Sequence, residues 1–416
     1  MDSIFFHIDV NSAFLSWTAI DQLKNGAATD LRTIPSIIGG DSSTRHGIVL
    51  AKSIPAKKYG IVTAETIQSA CRKCPNLTIA KPDHKLYRHM SHLLMEHLSS
   101  FCPVIEQVSI DECYMDFTPI AKDFVSPEAA AAIIKDSVYT KFGFTVNVGI
   151  SDRKVLAKMA SDFKKPNLVH TLFVSEIQAK MWPLSISELF MCGKSSQSVL
   201  ANLGIATIGE LATADLSMIT AHLKSHGKLL WEFANGIDSS VVEPLPEPAK
   251  GVGNSTTLPK DAESPDEIHP VLIALAESVS KRLRAADKLA GTITLELKYN
   301  TFQKTSHQQI LYPPSNTSQV ILDAAESLFE ELWNGTPIRL AGIRATKLSD
   351  LDTPVQMDLF HYQQEHQKSE KEQKLDQALD SIRGKFGDAA VMRGSLYSAH
   401  PSSSKEISKT QPHKKS

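Results

Sequence analysis

Two hydrophobic periods share the first 170 residues, short strand-like runs and longer stretches of helical spacing. Residues 5–10, Phe5-Phe6-His7-Ile8-Asp9-Val10, predict an apolar strand carrying one acid. Residues 108–117 predict a second strand, interrupted by two adjacent acids, Asp111 and Glu112. Neighbouring side chains on a strand point to opposite faces, so adjacent acids mark a turn or a strand edge. Between and after these runs the spacing predicts a helix over 11–23, capped at Asn11 or Ser12, and short strands at 34–41 and 47–51. A short helix over 52–60 has Pro55 in its first turn and Gly60 as its stop. Residues 87–98 form an amphipathic helix with Met90, Leu93, Leu94 and Leu98 near one face. An alanine-rich helix at 127–139, a strand at 144–150 and a helix at 154–163 complete the pattern. The order predicts an α+β sheet with helices on one side and a small α/β insertion at 17–76.

From about residue 182 the texture changes to short helices around glycines, one opening at Cys192-Gly193-Lys194 and one at Thr207-Ile208-Gly209. Helix, tight hairpin, helix is a phosphate-holding geometry, and equally an ordinary helical bundle. Residues 243–266 hold five prolines and several charges and read as a linker. A third unit follows, with helices over 269–288 and 317–332 covering strands at 292–299, 307–312 and 338–346. Its polar positions Thr292, Thr294, Lys298, Arg339 and Arg344 suit either a DNA backbone or a solvated face. The charged tail from 361 carries one amphipathic helix, with Leu375, Ala378, Leu379 and Ile382 as its expected apolar face. Residues 402–416, rich in Ser and Lys, are expected to be disordered.

A chain of 416 residues exceeds what one core sustains, so roughly two to four domains are expected. The first residues hold no basic-then-apolar leader pattern, and no run of about 18 apolar residues occurs, so neither secretion nor membrane spanning is expected. Five cysteines form no framework, because Cys71-Arg72-Lys73-Cys74 lacks a second ligand pair; a reduced cytoplasmic protein is the simple expectation. A net charge of -2 excludes a protein coated in positive charge but not a local basic channel for phosphates. Gly193-Lys194-Ser195 lacks the earlier glycine of a P-loop, which excludes that class of NTPase. If the two acidic strands pair, Asp9, Asp111 and Glu112 converge into the oxygen-only set that Mg²⁺ requires; otherwise they are a turn acid and a solvated edge.

Four segments, read together, resemble the Y-family (DinB/UmuC-type) translesion DNA polymerases over roughly residues 4–355. They are Phe6-His7-Ile8-Asp9-Val10-Asn11-Ser12-Ala13-Phe14, Ala56-Lys57-Lys58-Tyr59-Gly60, Ser109-Ile110-Asp111-Glu112, and Val148-Gly149-Ile150 running on to Leu156-Ala157-Lys158-Met159-Ala160-Ser161-Asp162-Phe163-Lys164-Lys165-Pro166-Asn167. The organisation and tail are similar to the Gram-positive UmuC-like UV-damage repair proteins. The resemblance implies a right-hand α+β polymerase with a palm at 1–15 and 77–180 and small fingers at 16–76. A helix-hairpin-helix thumb at 181–240 and a linker at 241–250 would follow. The little finger, a sheet with two helices, would span 251–355, and a clamp-binding peptide and tail 356–416.

It further implies that Asp9, Asp111 and Glu112 hold two Mg²⁺ ions during turnover, with Val10 offering its carbonyl. Phe14 would be the steric gate against ribose, and Lys57 and Lys165 would bind the triphosphate. The family usually has Tyr where Ile54 stands and Arg where Lys57 stands, so weaker or less well oriented triphosphate binding is expected. Gln356-Met357-Asp358-Leu359-Phe360 resembles a pentapeptide that docks on the bacterial sliding clamp, with Gln356 as polar anchor and Leu359 and Phe360 as apolar plugs. The expected protein is a monomeric, cytoplasmic, unproofread DNA polymerase acting on primer-template DNA and dNTPs in repair and damage-induced mutagenesis. The alternatives are a catalytically inactive DNA- and clamp-binding repair accessory protein and a nucleotide cyclase; the first has no reason to keep three acids, the second no use for a clamp peptide.

Overall fold

The computed structural model describes residues 3–40, 47–245, 247–353, 362–387 and 390–391, with side chains described from residue 371 onward in the last helix. It divides into two compact units, 1–247 and 248–416.

The first unit opens with β1 (Phe5–Val10) and α1 (Ala13–Lys24). The insertion then supplies β2 (Ser36–Gly39), β3 (Val49–Lys52), α2 (Ile54–Lys57), α3 (Ile67–Lys73) and β4 (Thr78–Ala80). Next come α4 (His84–Ser99), β5 (Ile105–Gln107), β6 (Glu112–Asp116), α5 (Pro127–Phe142), β7 (Val146–Ser151), α6 (Lys154–Asp162) and β8 (Val169–Thr171). Helices α7 (Ile177–Lys180), α8 (Lys194–Asn202), α9 (Ile208–Thr213) and α10 (Leu216–Ala234) end the unit.

Its main sheet runs β5-β6-β1-β7-β8, so β1 is central and antiparallel to both β6 and β7. Phe6, Ile8 and Val10 on β1 join Trp17, Tyr87, Leu94, Ile134 and Val138 from α1, α4 and α5 in one core, which is why those helices share a face of the sheet. The insertion forms its own sheet, β3-β2-β4, around Ile37, Val49, Ile61 and Ile67. Helix α6 presses closely on β7. A Cβ at Gly149 would lie 2.0 Å from the Ala157 carbonyl oxygen and 2.4 Å from the Ser161 nitrogen, so only glycine admits the helix at this depth. In α9, Thr207 and Glu210 form a capping box that fixes its entry, the local reason the hairpin after α8 closes.

The segment expected as a linker is tied down at its start. Glu106 Oε2 accepts from the Glu243 N–H at 2.8 Å and from Lys154 Nζ at 2.6 Å, and Lys154 also donates to the Val241 carbonyl.

The second unit is β9 (Gly251–Ala262), α11 (Pro265–Ala285), β10 (Lys288–Tyr299), β11 (Lys304–Ser315), α12 (Ser318–Leu332), β12 (Ile338–Asp350) and α13 (Tyr362–Phe386). The sheet order is β11-β10-β12-β9, with α11 and α12 packed on one face. Two expectations need correction here. Residues 251–262 are not linker but the fourth, edge strand, and Pro259 falls where the β9–β12 register shifts between Thr257 and Ala262. An edge strand at an irregularity is where a proline is tolerated. The tail helix does form, but its buried contacts are charged. Leu375 and Ile382 stay exposed, whereas Asp376 is buried and pairs with Arg284 at 2.9 Å. Asp376 also accepts from the Ser318 N–H at 2.7 Å, capping α12, whose own Thr317 makes no side-chain cap. Asp380 and Arg383 add ion pairs to Arg284 and Glu277.

Candidate active site

Antiparallel pairing sets Asp9 opposite Glu112, and the Val10 N–H donates to the Asp111 carbonyl at 3.0 Å. The two acidic stretches therefore meet at one end of the central strands. Asp111 lies in the bend before β6, where the Ser109 hydroxyl donates to its Oδ1 at 2.7 Å; Glu112 is the first residue of the strand. Asp116, at the other end of β6, accepts from the Thr118 N–H at 2.9 Å and is structural.

Gly149 pairs with His7 across β1 and β7, so the tight seat of α6 lowers Lys158 and Ser161 onto the acidic end. Lys158 Nζ lies 2.8 Å from Glu112, 3.3 Å from Asp162 and 3.7 Å from Asp9. Lys165 Nζ lies 2.7 Å from Asp9 and 2.9 Å from Asp162. Beneath them the buried His7 meets Glu112 Oε2 at 3.3 Å through Nε2 and Ser161 Oγ at 2.8 Å through Nδ1.

The electrostatics follow from this packing. Burial lowers the His7 pKa, keeping the ring neutral. The neutral tautomer that serves Glu112 carries its proton on Nε2, and the single Ser161 hydroxyl proton is shared between His7 Nδ1 and the Lys158 carbonyl, each 2.8 Å from Ser161 Oγ. That His7 hydrogen bond, and then Lys158, outweigh burial and hold the Glu112 carboxyl at about 2. Asp111 goes the other way. Burial raises it, the charges of Asp9 and Glu112 add to the rise, and Ser109 opposes it. Burial would lower both lysines, but the bond to Glu112 and the charges of Asp162 and Asp9 raise Lys158, and Asp9 and Asp162 raise Lys165.

Phe14, on α1, is half-buried and stacked on Tyr87 of α4 at 4.3 Å. It follows Ser12, whose φ of 49° turns the chain sharply out of β1. Lys57 ends α2 and is exposed, as is Ile54 at its start. Burial and the neighbouring Lys57 charge lower the Lys52 pKa, so the insertion presents a pair of interacting cations. The structure thus brings Asp9, Val10, Asp111, Glu112 and Lys165 together; Lys57 stays on the insertion, with no side-chain contact to the acids. Gln356, Leu359 and Phe360 lie outside the described residues. Sequence reasoning missed His7, Lys158 and Asp162 as partners of the acids. The available signal was the i, i+4 spacing of Lys158 and Asp162 on α6, shared with many solvated helices.

Among the described residues no group of three or more His, Cys, Asp or Glu side chains is arranged to hold a metal ion as it stands, and two ammonium groups lie against the acids. The donor set itself fits a hard divalent cation: oxygens alone, with burial first and then the charges of Asp9 and Glu112 raising the pKa of Asp111. Among the described residues no helix is long and apolar enough to cross a membrane.

Residues 8–162 match the model of the impB/mucB/samB family, and residues 249–359 match that family's C-terminal domain. The chain is 45% identical over 396 residues to DNA polymerase IV of Clostridium acetobutylicum, an alignment covering 95% of this chain and 98% of that protein. It is 34% identical to DNA polymerase IV of Alkaliphilus oremlandii, covering 95% and 99%, and 32% identical to DNA polymerase IV 2 of Bacillus subtilis, covering 96% and 95%. Among solved structures, a Y-family DNA polymerase chimera, Dbh-Dpo4(243-245)-Dbh, shares the fold with a TM-score of 0.72 at 21% identity, covering 83% of this chain and 99% of that one. The acidic end of the central strands and these matches along nearly the whole chain have one reading: the chain belongs to the impB/mucB/samB family, the Y-family DinB/UmuC-type DNA polymerases.

Proposed function

We propose that the chain is a template-directed DNA polymerase that adds dNTPs to a primer across damaged template, without proofreading. The observation that carries this reading is the meeting of Asp9, Asp111 and Glu112 at one end of β1 and β6, beside Lys158 and Lys165. Y-family polymerases depend on divalent metal. Held by Asp9, Asp111, Glu112 and the Val10 carbonyl, two Mg²⁺ ions would lower the pKa of the primer 3′-hydroxyl and offset the charge of the leaving pyrophosphate. Lys165, already beside Asp9, steadies the β,γ-phosphates of the incoming nucleotide, together with Lys57 from the insertion. Phe14 walls off the 2′ side of the sugar, admitting deoxyribose. Ile54 donates nothing to a phosphate, so this pocket holds triphosphate less firmly than one with a tyrosine there.

The palm spans 1–15 and 77–180, the fingers 16–76, the thumb 181–240, the linker 241–250 and the little finger 251–355. On the little finger, the sheet face opposite α11 and α12 carries Thr294, Lys298 and Arg344 along neighbouring strands, with the intervening Glu296 paired to Lys304, and these positions suit phosphate contacts. Gln356, Leu359 and Phe360 dock the enzyme on the bacterial sliding clamp, and the protein works as a cytoplasmic monomer. Replacing Leu359 and Phe360 by Ala is expected to abolish clamp-stimulated synthesis while sparing distributive synthesis; equal losses in both would refute the clamp role.

Primer extension by the purified chain, with Mg²⁺ and dNTPs on undamaged and lesion-bearing templates, tests the whole reading. Extension past the lesion is expected. DNA binding without extension would favour the inactive accessory protein instead.

A further inference from the structure

We propose that Tyr87 is a specificity-determining residue, which with Thr18 fixes the plane of the Phe14 ring and so sets discrimination against ribonucleotides. The inference rests on the reading of Phe14 as the steric gate.

Phe14 and Thr18 are four residues apart on α1 and so share one face of that helix. Tyr87 of α4 lies against both. Its ring stacks on Phe14 with centroids 4.3 Å apart and planes 7° from parallel, and its hydroxyl meets Thr18 Oγ1 at 3.0 Å. Tyr87 is fully buried, whereas Phe14 is only half-buried, so the pair runs from the core outward. A buried phenol without a partner is costly, so the Thr18 contact holds the far end of the Tyr87 ring in place. Trp17 and the edge of His84 flank the pair at 6.1 and 5.8 Å from the Tyr87 centroid.

A side chain excludes a 2′-hydroxyl only if it cannot tilt or retreat when pushed. Phe14 is partly open to solvent near the start of its helix, and apart from Tyr87 its aromatic neighbours, Trp17 and His84, stand off at 6.3 Å and lie tilted or edge-on rather than flat against the ring. The flat, pinned ring behind it removes the freedom to tilt. Tyr87 therefore acts through Phe14 and is a positioning residue that touches neither nucleotide nor metal.

The test is single-nucleotide insertion on an undamaged primer-template, comparing kcat/KM for dCTP with that for CTP opposite guanine. Tyr87→Leu and Tyr87→Met are expected to lower the dNTP/rNTP ratio by about tenfold, because ribonucleotide insertion rises. Tyr87→Phe, which keeps the stacked ring but loses the Thr18 contact, should lower the ratio by no more than about threefold, as Thr18→Val does. Thr18→Val should move it in the same direction as Leu, by a smaller factor. Phe14→Ala should relax it most, and adding Tyr87→Leu to Phe14→Ala should relax it no further. An unchanged ratio in the Leu and Met variants, or a parallel fall of both substrates, overturns the proposal and leaves Tyr87 as ordinary core. If Phe14→Ala itself leaves the ratio unchanged, the gate reading fails and this inference with it. Should the Leu variant fail to fold by circular dichroism, Met and Thr18→Val carry the decision.

Discussion

Lys158 and Glu112 form an ion pair of 2.8 Å at the acidic end of the central sheet, and His7 meets the same carboxylate oxygen, Oε2, from below. Both holds fall on one oxygen, so the carboxylate is oriented and its charge partly met before any substrate arrives. With Lys165 against Asp9, two ammonium groups neutralise a cluster whose acids otherwise repel one another.

Removing the Lys158 ammonium should therefore expose that repulsion. Lys158→Met is expected to lower stability by about 1–3 kcal/mol in the absence of divalent metal, since it leaves half-buried carboxylates uncompensated. Added Mg²⁺ should recover more of the melting temperature for the variant than for the unaltered chain. Thermal melts with EDTA and with Mg²⁺ check this; equal Mg²⁺ effects on both proteins would contradict it.

Gly149 is the second dependency. A methyl group there would sit 2.0 Å from the Ala157 carbonyl oxygen, which is backbone and cannot swing aside. Gly149→Ala is expected to push α6 outward, costing about 1–3 kcal/mol, and to weaken nucleotide insertion by displacing Lys158. Chemical denaturation alongside insertion kinetics measures both; a variant of wild-type stability and rate would refute the account of how α6 is seated.

The second unit is secured by a polar clasp. Arg284→Ala removes the partner of buried Asp376 and of Asp380. A loss of about 3 kcal/mol is expected, at the lower end for a broken buried pair because Ser318 still donates to Asp376. Amide exchange should quicken in α13 and at the start of α12. Unchanged exchange there would mean that the tail helix contributes nothing to holding this unit.

Acid should loosen the insertion through Glu65. Its bond to Lys73, helped by the Val62 N–H and the Ser69 hydroxyl, depresses its carboxyl to about 2. A depressed folded pKa stabilises above the unfolded value of about 4.3, and that contribution is lost as pH falls from there toward 2. Glu65→Gln should flatten the stability profile of the insertion across that window and leave it parallel to wild type above pH 6. A profile as steep as that of the unaltered chain would contradict the assignment.

Much of this was legible in the sequence where local chemistry is strong. Alternating strands, the acids at 9, 111 and 112, and the capped helices need only near neighbours to be read. What escaped depends on distant partners. Strand β9 carries Asn, Ser, Thr and a proline, and only its place at a sheet edge makes that composition tolerable. The tail helix looked as if it would bury Leu375 and Ile382, yet ion pairs to Arg284 and Glu277, about a hundred residues away in sequence, turned its charged side inward. Lys158 reads as a surface lysine until Gly149 brings its helix down onto the sheet.

The central claim is that Asp9, Asp111 and Glu112 act together in nucleotidyl transfer. Rapid-quench incorporation of one dNTP by the unaltered chain and by Asp111→Ala, with primer-template affinity measured in parallel, tests it most directly. The expected result is a loss of incorporation of about a hundredfold or more with DNA affinity changed only a few-fold. Incorporation by Asp111→Ala within a few-fold of the unaltered chain would contradict the account.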